Sequence, residues 1–268
     1  MNRKRPPICA LIVSRNRPEF LTSVSIPSLV HQILRPAVVV VVDDGDPPCR
    51  AAVRGAMRTL LAAGIQSRLL VHSRGHGLAK AWNHGLQWIA THWPNSWCAG
   101  LDDDDEWLPS HLSSCWSKAL SARADIVISG SDIVIDGAVK KGEDVGDISV
   151  QSFLRGNPGF RGSTIFARSR TLLAVDGMDP WLPSTTDRDL GLRIVRRGDA
   201  RWARTDAVTV RYHLSKARAQ LSTYGSKSKH LGLQRFLVKH GHLMSKDDVD
   251  RFLDRALRLF GCQIEPPD

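Results

Sequence analysis

"AVVVVVDDGD", residues 37–46, sets five consecutive valines against two aspartates and a glycine. A β-branched run with no polar alternation suits a strand buried on both faces, as in a parallel sheet covered by helices. "ICALIVS" (8–14) is a second run of the same kind. Between the two, "RPEFLTSVSIPSLVHQIL" places Phe20, Leu21, Val24 and Leu29 near helical spacing. Pro27 inside it would cost about 3 kcal/mol in a regular helix, so a kink or restart is expected there. The unit reads β-α-β.

The alternation continues outward. "RAAVRGAMRTLLAAG" (50–64) puts Val53, Met57, Leu60 and Leu61 on a helical stripe and ends at Gly64, a C-cap. "QSRLLVHS" reads as a third strand, "LAKAWNHGLQWIATHW" as a helix and "SWCAGLD" as a fourth strand. Such alternation predicts an α/β sandwich with right-handed crossovers. Farther on, "SHLSSCWSKALSA" is a helix, and "ADIVISGSDIVIDGAVKKGE" is a strand followed by a hairpin around Asp136-Gly137. "GSTIFARSRTLLAVDG" reads as a strand and short helix, and "TTDRDLGLRIVRRG" as a helix burying Leu190, Ile194 and Val195. Beyond His213 the chain turns polar and basic. "SKDDVDRFLDRALRLFG" is amphipathic, with Ser245 as N-cap and Val249, Phe252, Leu253, Ala256, Leu257 and Phe260 on one face. One catalytic domain (1–225) with a small C-terminal helical extension (226–268) is expected.

The 268 residues, 42% hydrophobic, suffice for a sizeable core. The apolar run after the basic N-terminus is too short for a signal-peptide core or a membrane span, so a cytoplasmic protein is expected. Five scattered cysteines without a C-x-x-C pair suggest neither a disulfide framework nor a zinc site. His72, His76, His84 and His92 cluster without a metal-ligand pattern. The net charge of +10 suits phosphates, anionic substrates or an acidic membrane surface. No helix-turn-helix, RNP or zinc-finger signature accompanies it, so nucleic acid is not the expected partner. The basic amphipathic C-terminal region suits either peripheral membrane contact or packing on the main domain.

Ligands of open α/β sheets bind beyond the carboxyl ends of the strands. Asp43 and Asp44 end the second strand, Asp102 to Asp105 end the fourth, and Asp187 and Asp189 follow a loop rich in Pro, Ser and Thr. These acids should gather at one rim. "VVDDGD" alone could be an Asp-Gly turn, and Asp187 alone an N-cap or ion-pair partner. Four adjacent acids in "LDDDDEW" exceed what capping needs, and like charges about 4 Å apart repel by roughly 4 kcal/mol at an effective dielectric near 20. A cation is called for, and hard oxygens suit Mg²⁺ or Mn²⁺ shared with substrate phosphates. "GHGLAKA" imitates a dinucleotide fingerprint but lacks the third glycine and follows the wrong strand.

In order and spacing, "VSRNRPEFLTSVSIPSLVHQ", "VVVVVDDGD", "GHGLAKAWNHGL", "LDDDDEWLPSHL", "GSTIFARSRTLLAVDGMD", "DRDLGLRIVRRG" and "VRYHLSKARAQLS" resemble the family 2 glycosyltransferases from about residue 8 to 225. The resemblance implies a GT-A fold, α/β and Rossmann-like, with a mixed, mostly parallel sheet flanked by helices. It implies a nucleoside-diphosphate sugar donor, UDP first among them, a divalent cation (Mn²⁺ or Mg²⁺), and inverting transfer of hexosyl type. The acceptor would be a hydroxyl of a glycan precursor, a lipid-linked sugar or a small metabolite. Ser14, Arg15, Asp44, Asn83, Asp102 and Asp103 match donor-binding positions. Asp102, Asp104 and His213 match metal positions, and Asp187 the catalytic base, while Asp189 matches a second, structural acid. Lys and Arg of "RYHLSKAR" would assist the leaving diphosphate. Two departures stand out: Thr186 precedes Asp187 where the family often has Glu, and Trp82 precedes Asn83 where it commonly has Arg. A non-catalytic nucleotide-binding module and an NAD(P)-linked oxidoreductase are the alternatives. Trp181 and Phe160, in loops bordering the acceptor side, are either sugar-stacking or core aromatics.

Overall fold

The computed structural model describes residues 5–142, 145–214 and 223–266. Strand β1 (Ile8–Ser14) leads into α1 (Pro18–Phe20), a π-helical turn (Leu21–Ser25) and α2 (Ile26–Val30). The widened turn ends where Pro27 enters α2 at its start, so the missing N–H falls at a restart and not inside a helix. Then come β2 (Val38–Asp43), α3 (Arg50–Ala62), β3 (Ser67–Val71), α4 (Leu78–His92) and β4 (Trp97–Asp102). Gly64, at φ +71°, closes α3 by donating its N–H to the Leu61 carbonyl, as its C-cap role requires.

The second half opens with β5 (Glu106–Trp107), α5 (His111–Ser121) and the hairpin of β6 (Ile126–Ile135) and β7 (Ala138–Lys140). Asp136 and Gly137, both at positive φ, form the expected tight turn between them. The chain continues through α6 (Val150–Arg155), β8 (Ile165–Arg168), α7 (Ser169–Leu173), α8 (Thr186–Arg197), β9 (Trp202–Leu214), α9 (Lys227–His240) and α10 (Lys246–Phe260). All nine strands form one sheet, ordered β3-β2-β1-β4-β8-β6-β9-β5, with β7 on β6. The pairings run six of these strands one way and β5, β7 and β8 the other, which is the expected mixed, mostly parallel sheet.

Alternate residues of β1 and β2 feed two cores. Leu11, Val40 and Val42 belong to the core that α4, α8 and α9 also feed, and Ile12, Val39 and Val41 to the one fed by α2, α3 and α5. The C-terminal helices join the first core: Phe236 stacks on Phe252, and the buried Arg188 guanidinium lies 4.2 Å and 5.0 Å from their ring centres. Ser245 caps α10 reciprocally with Asp248, as its sequence suggests. The expected apolar stripe of α10 is turned mostly inward, with Phe252 and Ala256 buried and Leu257 exposed. In α8, Leu190, Leu192 and Ile194 are buried, while Val195 is half-buried. No helix among the described residues is long and apolar enough to cross a membrane.

Candidate active site

Parallel register sets the carboxyl ends of β1, β2 and β4 side by side, with Ser14 opposite Asp43 and Val13 opposite Asp102. The first two groups of acids therefore share one rim. Buried Asp44 donates its N–H to the Ser14 carbonyl at 2.9 Å. Its carboxylate accepts the N–H groups of His76 (2.8 Å) and Gly77 (2.9 Å) and meets Nδ1 of His72 at 2.7 Å. Asp44 thus pins the "RGHG" loop to the head of α4. The amides that resembled a dinucleotide cradle are organised by an internal carboxylate. His72 reaches on to Nδ1 of His84, 3.0 Å away.

Beside this loop opens a cavity of about 590 Å³, lined among others by Arg15, Arg17, Asp44, Lys80, Trp181 and Arg235. Four cationic side chains against one carboxylate favour an anionic ligand. Asn83 is not in the lining: its amide takes both the N–H and the carbonyl of Met178, at 2.8 Å and 2.7 Å. It therefore anchors the loop that carries Trp181. Trp82 and Phe160 are buried in the first core, whereas Trp181 is 44% exposed at the cavity.

The acid loop after β4 has its own internal cation. Arg17 Nη2 lies 2.5 Å from Asp103 Oδ1, and Nη1 lies 3.1 Å from Asp104 Oδ2. Sequence reading passed over Arg17, although it stands two residues after Arg15 in the loop already singled out. Asp105 accepts bonds from Ser163 Oγ (2.6 Å) and the His213 N–H (3.0 Å), tying β9 to the loop. Burial beside Asp102 and Asp104 raises Asp105 well above the usual carboxylate range. The His213 ring sits next to this loop, its Nε2 3.8 Å from Glu106 Oε2. Lys216 and Arg218 of "RYHLSKAR" lie outside the described residues.

Asp102 is pushed up to about 8, first by burial and then by the charges of Asp104, Asp103 and Asp187. It stands against Gly162, where an added Cβ would come within 2.5 Å of its Oδ1. Gly162→Ala is therefore expected to displace Asp102 and to cost about 1–3 kcal/mol, the usual penalty of overpacking. Chemical denaturation checks the stability, and an unchanged midpoint would show that the carboxylate moves away freely.

The third group of acids splits. Asp187 and Asp189, two residues apart in α8, point about 200° apart around the helix. Asp187 faces the rim, half-buried, and accepts the Arg188 N–H at 2.7 Å. Burial raises it above the ordinary carboxylate value, with Lys229, the Arg188 N–H and Arg161 opposing. Lys229 is itself lowered to about 8 by burial. Asp189 faces inward, with Arg193 Nε at 2.8 Å, Lys239 Nζ at 2.7 Å and His240 Nε2 at 2.7 Å. Thr185, before α8, holds φ +66°, a strained conformation for a β-branched residue and one that clusters at functional sites.

Among the described residues, no three His, Cys, Asp or Glu converge as a complete metal cage. Mg²⁺ and Mn²⁺ sites completed by substrate phosphates need only one or two carboxylates. Asp102, raised first by burial and then by the charges of Asp104, Asp103 and Asp187, stands in a loop that fits a divalent cation of that kind.

The fold is similar to that of TarS from S. aureus. A structure of TarS residues 1–349 matches with a TM-score of 0.66 at 14% identity, over 94% of this chain and 72% of that one. The same fragment in complex with UDP-GlcNAc gives 0.64 at 12% identity, over 92% of this chain and 79% of that one. A longer TarS structure gives 0.65 at 14% identity over 94% of this chain, which spans 43% of it. Identities this low establish the fold alone. No curated protein matches the sequence. The sequence model described as glycosyl transferase family 2 matches residues 9–174, more than half of the chain. On that match, with the acids of β2 and β4 at one rim, the protein belongs to glycosyl transferase family 2.

Proposed function

We propose that this glycosyltransferase is inverting and metal-dependent, and moves a hexosyl group from a UDP-sugar onto a hydroxyl of a glycan precursor, a lipid-linked sugar or a small metabolite. The observation that carries the reading is the acid loop at the carboxyl end of β4, tied by Arg17 to the cation-lined cavity, with the charge of Asp187 also acting on Asp102. TarS, similar in fold, has been solved with UDP and with UDP-GlcNAc, which supports a uridine nucleotide here. Ser14, Arg15 and Asp44 would meet the nucleoside, Asn83 would hold the cavity loop, and Asp102 and Asp103 would meet the ribose and diphosphate side. Asp102 and Asp104 would hold the cation; His213, the third position matched in the family, does not converge with them among the described residues. Bound there, Mn²⁺ or Mg²⁺ would offset charge developing on the leaving diphosphate.

A sugar hydroxyl is a weak nucleophile until its proton is taken. Asp187 accepts that proton as the acceptor oxygen bonds to the anomeric carbon and the carbon–oxygen bond to the nucleoside diphosphate breaks. Its raised proton affinity makes it a better base than an ordinary carboxylate. A single displacement of this kind inverts the anomeric centre.

Thermal unfolding with UDP, GDP, dTDP or NAD(P), each with and without Mn²⁺, tests the reading. Ligand at about 100 times its Kd stabilises by about 2.7 kcal/mol, a rise of roughly 5 °C or more for a chain of this size. That shift is expected with UDP and to require Mn²⁺, and Asp104→Ala should lose it. A shift with NAD(P) alone, or with no nucleotide, overturns the proposal.

A further inference from the structure

Charge is unevenly spread over the C-terminal part of the chain. Between Asp206 and Asp247 the sequence holds eight Lys and Arg and not one Asp or Glu. Helix α9 lies in this stretch and has two faces. Leu233, Phe236, Leu237 and His240 are buried. Lys227, Leu231, Arg235 and Val238, spaced by four, four and three residues, form the opposite stripe. Leu231 is 42% exposed and Val238 55%. Trp181 joins them, because the Arg235 guanidinium lies 5.1 Å from its ring centre and donates to its carbonyl. Trp181 and Arg235 both line the cavity of about 590 Å³, so this face borders the mouth of the site.

The composition of the face selects its partner. Exposed Trp, Leu and Val interleaved with Lys and Arg are the side chains that enter the headgroup region of a bilayer, and each basic residue near an anionic surface adds about 1 kcal/mol. A carboxylate also borders the stripe: Glu265, whose backbone brackets the Gln234 side chain. Lys239 is turned away to Asp179 and Asp189. Helix α10, which sequence alone made the candidate for membrane contact, keeps Phe252 and Ala256 buried.

We propose that the outward face of α9, together with Trp181, docks on an anionic lipid bilayer and presents the cavity mouth to a lipid-linked acceptor. Docking itself stands apart from the catalytic reading; only the choice of acceptor rests on it. The test is flotation of the full chain with vesicles of phosphatidylcholine, pure or carrying about 30% phosphatidylglycerol, at low and high salt. Binding is expected to the anionic vesicles, to weaken with salt, and to fall about tenfold or more in Leu231→Glu/Val238→Glu. Those side chains lie outside the cavity lining, so the double variant should keep the wild-type melting temperature and its Mn²⁺-dependent UDP shift. Leu257→Glu/Leu259→Glu on α10 should float like the wild type. The proposal is overturned by a wild-type chain that ignores anionic vesicles, by undiminished binding of the α9 variant, or by loss confined to the α10 variant. Normal vesicle binding without any nucleotide shift would overturn the catalytic reading and leave docking standing.

Discussion

Asp187→Asn is expected to lower sugar transfer by roughly 10²- to 10⁴-fold, the range over which a positioned general base contributes. The substitution keeps the shape and the acceptor oxygen for the Arg188 N–H, so the head of α8 should stay in place. Asp187 is not among the residues lining the cavity, and UDP affinity should therefore change little. The loss belongs in kcat. The pH profile gives a second readout. Burial raises Asp187, so wild-type transfer should fall as pH drops through a value above the usual carboxylate range, because the base must be ionised. That acid limb should vanish from the residual activity of the variant. A variant that turns over normally would remove Asp187 from the chemistry.

Asp189→Asn should leave the rim intact and damage the fold, by about 3–5 kcal/mol or roughly 6–20 °C in melting temperature. Three basic side chains from α8 and α9 converge on this fully buried carboxylate, and Arg193 continues to the carbonyls of Val175 and Gly177. An amide would remove the buried charge that balances them, leaving Arg193 only its two carbonyls and Lys239 only Asp179. Against burial, the bonds to His240 and the charges of Arg193 and Lys239 hold Asp189 down at about 2. A folded-state value below the unfolded one near 3.9 means stability that is present above pH 4 and lost as pH falls towards 2. The variant should lose less stability than the wild type over that range, because Asp179 and Asp248, also held low, still contribute to the loss. Equal melting temperatures would make the cluster energetically silent.

The half of the fold built from local, doubly buried strands is legible in the sequence. "ICALIVS" coincides with β1, and the five valines lie inside β2. Elements whose burial depends on distant partners are not. β9 reads poorly because Arg204, Asp206 and Arg211 interrupt it, and it is a strand only through its pairing with β6 and β5. α9 hides under its basic residues, although Leu233, Phe236, Leu237 and His240 carry a helical period that could have been found. At the site, strand ends locate the acids of β2 and β4. Spacing alone cannot say that Arg17 closes on Asp103 and Asp104, or that the Asn83 amide turns to Met178, 95 residues away. Both are contacts between loops that only the assembled sheet brings together.

The valine run that makes β2 the centre of the parallel half also shapes how the chain reaches that state. β1 and α2 precede it, but β3 and α3, which cover its other edge and part of one face, are encoded after it. During synthesis or refolding, the valine run of β2 therefore spends a period as a β-branched segment with an open edge and no charge before Asp43. Segments of that kind pair with copies of themselves. Recovery from denaturant should accordingly fall as protein concentration rises, and the same residues that secure the native sheet set the hazard on the way to it.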